Sequence, residues 1–118
     1  MSFKDLKQIR KPGFLNELDV SVLPNKNYKL LKPLTFYSAK YDKTITVPIG
    51  FITDFASFVL VTWGDKSATI HDKLYSDKIN RLIADNIYLE SLRSEGIPEW
   101  KCLACYAGVR AFGWTRYI

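Results

Sequence analysis

A chain of 118 residues is the usual size of one domain, and 47% hydrophobic, 14% aromatic and 25% charged residues exclude a disordered or fibrous protein. Seventeen Lys and Arg against twelve Asp and Glu give a net charge of +5, which would suit an anionic partner. The basic residues are spread thinly, however, and no nucleic-acid motif accompanies them, so nucleic acid is disfavoured as a partner.

Two cysteines cannot build a disulfide framework, so synthesis in a reducing cytoplasm is expected. No apolar run approaches the ~20 residues that span a bilayer, and the start of the chain carries no secretion-signal pattern. No membrane span is expected.

Residues 1–27 mix charges with Pro12, Gly13 and Pro24 and read as an extended or irregular basic arm, with one short strand near Leu18 to Leu23. The densest basic stretch, Lys4, Lys7, Arg10 and Lys11, lies there and is the candidate partner-docking element. The remainder, 28–118, reads as a single α+β domain. Tyr28–Lys32 and Leu34–Tyr37 carry strand-type residues on either side of Pro33, which cannot donate to a ladder and predicts an edge strand or a bulge. Ala39–Lys43 is a polar hairpin connection, and Thr44–Val47 alternates with period two. Pro48–Gly50 predicts a turn, with Phe51–Thr53 returning as a strand.

The pattern then becomes helical. Ser67 is a candidate N-cap for a helix over Ala68–Ser76, because its hydroxyl can accept an orphan backbone N–H. A second helix is expected over Lys78–Ser94, with Gly96 as its left-handed terminator. Pro98 opens a third, running to Phe112 before Gly113. That third helix carries Trp100, Leu103, Ala107 and Ala111 on one side and Cys102, Cys105, Tyr106 and Val109 on another. Apolar on two sides, it is expected to be the central packing helix. The architecture expected is a small, mostly antiparallel sheet in the N-terminal half, packed against about three helices in the C-terminal half.

The only histidine, His71, shares a helical row with Ser67, Leu74 and Tyr75, on an apolar-leaning face. Such a histidine serves as a general base or metal ligand, or as a core residue with both ring nitrogens bonded. Asp85 interrupts the apolar row of Leu82, Leu89 and Leu92 and therefore needs a partner: Arg81 four residues earlier, His71, or a bound cation. Asp54 precedes Phe55-Ala56-Ser57 just after a strand, where a carboxylate either caps a turn or sits at a sheet end beside a site. Asp72 adjoins His71. An enzyme would use His71, Asp72, Asp54 and Asp85 as its catalytic set. Cys102 and Cys105 match C-x-x-C but have no second ligand pair and fall inside a helix, which makes them core residues.

The ordered set Thr46-Val47-Pro48-x-Gly50-Phe51-x-Thr53-Asp54-x-Ala56-Ser57, His71-Asp72-x-Leu74-Tyr75, Ala84-Asp85 and Val109-Arg110-x-Phe112-Gly113 resembles the DUF1353 family of small tailed-bacteriophage and prophage proteins. The resemblance covers roughly residues 28–114. It departs from the family pattern at Phe55, Val59 and Leu60, where a glycine and a Pro-Arg pair are usual, and in a shortened connection to His71. The resemblance implies a phage origin and carries no established activity. The expectation is a virion or tail-associated structural or assembly protein, made in the host cytoplasm and carried into the virion. Its partners would be other phage structural proteins, with several copies per assembly and no cofactor. The alternative is a small hydrolase of lysis or entry, built on the His/Asp set and using a metal if it needs one.

Overall fold

The computed structural model describes residues 11–25, 27–53 and 64–117. In chain order the strands are β1 (Gly13–Phe14), β2 (Val20–Val22), β3 (Tyr28–Leu30), β4 (Leu34–Ser38), β5 (Lys43–Val47) and β6 (Ile52–Thr53). The helices are α1 (Asp65–Ser76), α2 (Arg81–Ser94), α3 (Glu99–Phe112) and the single turn α4 (Trp114–Tyr117). All pairings are antiparallel, in two three-stranded sheets ordered β1-β4-β5 and β2-β3-β6. The α+β expectation holds.

Pro33 does something other than mark an edge. β3 and β4 are each the central strand of their own sheet, and Pro33 sits in the connection where the chain passes from one sheet to the other. A residue without an N–H interrupts pairing at no cost there. The turns fall where the sequence places them: Asp42 (φ 48) closes the β4–β5 hairpin, and Gly50 (φ 88) the turn into β6.

Part of the 1–27 segment is woven into the fold. β1 pairs with β4, and Phe14 lies on Phe36 with ring centroids 4.9 Å apart. Asn16 donates to the Pro33 carbonyl at 2.7 Å and accepts from the Thr35 amide at 2.9 Å. These contacts join residues about twenty positions apart, which local pattern cannot register. Lys4, Lys7 and Arg10 lie outside the described residues.

Helices α1 and α2 pack on the β1-β4-β5 sheet, and α3 packs on α2 from the other side. The first core joins Leu30, Leu34, Phe36 and Val47 of the sheets to Ile70, Leu74, Tyr75, Ala84 and Ile87 of the helices. A second, between α2 and α3, holds Tyr88, Leu92, Cys102, Cys105 and Val109. Both cysteines are buried, and neither is in a disulfide. Among the described residues, only that side of α3 is covered. Trp100 is 64% exposed, Leu103 47%, and Ala104, Ala107 and Ala111 are also exposed. α3 is therefore an outer helix and not the central one, because α1 and α2 already cover the sheet.

Helix starts also differ from expectation. α1 begins at Asp65 after Gly64, so Ser67 lies within its first turn and gives its hydroxyl to Glu95 at 2.5 Å. Asn80 is the cap of α2, accepting from the Leu82 and Ile83 amides. Gly96 is left-handed (φ 77) as expected. Gly113 is not, at φ −62, and its role is steric. A Cβ there would lie 2.4 Å from the Val109 carbonyl and 2.5 Å from the Tyr75 hydroxyl.

Candidate functional site

The polar cluster forms where the two cores meet. α1 presents His71 and Tyr75 four residues apart on its inner face, and α2 presents Asp85 across from them. The His71 ring lies between Tyr75 and Tyr88, at centroid distances of 4.1 and 4.7 Å. His71 is 1% exposed and Asp85 0%.

Asp85 is the common acceptor. Its Oδ1 takes His71 Nε2 at 2.7 Å and the Tyr75 hydroxyl at 2.6 Å. Its Oδ2 takes Arg110 from α3 at 2.8 Å, with Arg81 at 3.7 Å. Arg81 also donates Nε to the Tyr75 hydroxyl at 3.2 Å. Its remaining guanidinium reaches the Val109 and Arg110 carbonyls at 2.8 and 2.9 Å, the open end of α3. One carboxylate thus joins three helices. No buried side-chain nitrogen or oxygen among the described residues lacks a hydrogen-bond partner.

Protonation follows from these contacts. Burial raises the cost of charging Asp85, but bonds from His71, Tyr75 and Arg110 outweigh it and hold the carboxyl below its usual range. An ionised carboxylate only accepts, so His71 Nε2 must carry the hydrogen. His71 is itself pushed below 6.5, by burial first. The bond to Asp85 and the charges of Asp85 and Asp72 oppose that shift, but burial prevails, with the Arg81 charge acting in the same direction. His71 is therefore a neutral Nε2–H donor. Burial, then the bond to Asp85, pushes the Tyr75 hydroxyl up to about 12.

The expected set is brought together in part. His71 and Asp85 meet; Asp72, half-buried and next to His71 in sequence, contributes negative charge near the ring. Asp54 lies outside the described residues. The Arg81 pairing anticipated at four residues exists, but it is the longer contact. Arg110 and Tyr75 are the partners that sequence reasoning missed. Both stand within the residue sets that carried the resemblance drawn from the sequence, which was the available signal. Among the described residues, no group of three His, Cys, Asp or Glu side chains could hold a metal ion, and no helix is long and apolar enough to cross a membrane. A groove of about 520 Å³ runs elsewhere, lined by Lys11, Lys40, Asn86, Leu89, Glu90 and Arg93 among others.

Two outcomes follow. Asp85→Asn replaces an acceptor of several donors with an amide that turns its own NH2 towards donors. It should lower stability by about 1–3 kcal/mol, read as a shifted urea midpoint; unchanged or higher stability would mark a strained, functional carboxylate. Acid should also destabilise. His71 has a lowered pKa in the fold, so the unfolded chain takes up its proton first, and the contribution present above pH 6.5 is lost as pH falls below it. Asp85, also lowered, adds a loss of the same sign beginning near 3.8. Urea midpoints at pH 7 and 5 should fall with pH, and His71→Gln should flatten that slope.

Comparison with known proteins gives a family and nothing finer. No curated protein and no solved structure matches the chain significantly. The family described as Protein of unknown function (DUF1353) matches residues 28–109, which span most of the strands, the His71–Asp85 cluster and nearly all of α3. The chain belongs to the DUF1353 family.

Proposed function

We propose that this protein is a virion- or tail-associated assembly module of a bacteriophage, working through protein–protein contacts and not through turnover of a substrate. The observation that carries the reading is the closure of the His71–Asp85 cluster. A hydrolytic centre needs its base and acid to converge on an open cavity where a substrate atom can sit within about 3 Å of them. Here His71 Nε2 is taken by Asp85, both residues are buried, and Asp85 already accepts from two helices besides its own. Such saturation suits a residue that fixes helix packing. The phage setting rests on the family resemblance, and with it synthesis in the host cytoplasm followed by incorporation into particles.

Exposed apolar side chains support a contact role. Besides the α3 face, Val22 is 69% exposed, Ile49 64% and Ile52 51%, around the β2-β3-β6 sheet. The basic residues Lys4, Lys7, Arg10 and Lys11 would add long-range attraction towards acidic partners.

The test is fractionation of a lysate from phage encoding this chain. The protein should band with intact particles in a density gradient, and His71→Ala should lower its incorporation only as far as it lowers the folded fraction. Recovery solely in the soluble lysate would contradict the reading. So would a lytic activity lost in a His71→Ala protein that remains fully folded.

A further inference from the structure

We infer that the outward face of α3 is a pairing surface for a second copy of this chain, in antiparallel, two-fold arrangement about Ala107. The inference stands on the geometry of α3 and does not depend on the virion reading.

α3 buries Cys102, Cys105 and Val109 against α2. At 100° per residue, Trp100, Leu103, Ala104, Ala107 and Ala111 fall on the opposite side. Gly113 keeps helical angles (φ −62, ψ −22), so Trp114, 52% exposed, continues the same line. No charged residue lies on this stripe; Glu99 and Arg110 flank it on one side and Lys101 on the other. Lys101 reaches over the Trp100 ring at 5.5 Å, at the border of the stripe.

Four of its residues stand symmetrically about Ala107, while Ala104 has the flanking Arg110 as its mate. Trp100 and Trp114 are each seven residues from Ala107, and Leu103 and Ala111 each four. A two-fold axis at Ala107 sets Trp100 against the partner's Trp114 and Leu103 against the partner's Ala111. Large thus meets small along each half, and tryptophan meets tryptophan at the ends. The alanines in the middle allow an interaxial distance near the lower end of the usual ~8–10 Å. A same-surface contact of this kind closes on itself, as two-fold interfaces must. The seven-residue recurrence is also the spacing at which paired helices keep one seam in contact.

The area agrees with a dimer. Two tryptophans, one leucine and three alanines at these exposures leave roughly 400–500 Å² of apolar surface per copy. A standard interface buries about 800 Å² per side, a little over half of it apolar. Leaving such a patch in water is costly, and patches of this size are commonly functional.

Sedimentation of the full-length chain from about 1 to about 100 µM should show a monomer–dimer equilibrium. Ala107→Arg places a charge on the axis without touching its own fold. It should weaken dimerisation at least ~100-fold with an unchanged far-UV spectrum. Ala107→Cys should form an intermolecular disulfide under mild oxidation, whereas Ser76→Cys, exposed on α1, should not. A wild-type chain that stays monomeric throughout overturns the inference, whether its own residues or a different protein cover the face. So does a dimer that Ala107→Arg leaves intact, or cross-linking no better at 107 than at 76.

Discussion

A single buried carboxylate governs how the helical layer is assembled. Asp85 cannot remain charged among apolar neighbours unless several donors reach it. Those donors come from α1 (His71, Tyr75) and α3 (Arg110), with Arg81 of α2 behind them. Each donor fixes a position. His71 and Tyr75 set the rotation of α1 against α2, while Arg110 and Arg81 set the end of α3 against the start of α2. Gly113 belongs to the same constraint, since a side chain there would displace Tyr75. Hydrophobic burial supplies most of the stabilisation, but it would tolerate many rotations of a helix about its axis. The carboxylate admits few.

Glu90 repeats the logic one turn and a half along α2, at the sheet. It accepts from the Ser38 hydroxyl at 2.6 Å and the Lys40 amide at 2.9 Å, which ties the β4–β5 hairpin turn to the helix. α2 is therefore the element on which α1, α3 and the β4–β5 hairpin are registered. Its two acids face opposite directions, Asp85 into the other helices and Glu90 towards the hairpin. Charge-assisted bonds on two opposite sides leave α2 little freedom to rotate.

Much of this was legible from local pattern. Period-two alternation, the turn at Pro48–Gly50 and the switch to helical spacing gave the strands and helices nearly in place. His71 and Asp85 announced themselves because each breaks an apolar row, and the short connection at residues 77–80 brings those rows together. What stayed hidden depends on distant partners. Arg110 is an ordinary helix residue until its contact with Asp85, twenty-five positions away, is seen. Ser67 offers a capping hydroxyl, but tertiary packing gives it Glu95 instead. Phe14 and Asn16 join the sheet through strands that follow them by about twenty residues. The two-sided apolar pattern of α3 was visible too; it could not tell a central helix from an outer one with an apolar outward face.

The central claim is that the His71–Asp85 cluster is a closed, neutral-imidazole packing device. Because His71 is the only histidine, the imidazole ¹⁵N spectrum of the native protein contains one ring and needs no assignment. At pH 7 it should show a neutral ring protonated at Nε2, slow to exchange with water, with a titration midpoint below 6.5. A midpoint at or above 6.5, or an Nε2 proton exchanging freely with solvent, would contradict the account and reopen the cluster as a reactive site.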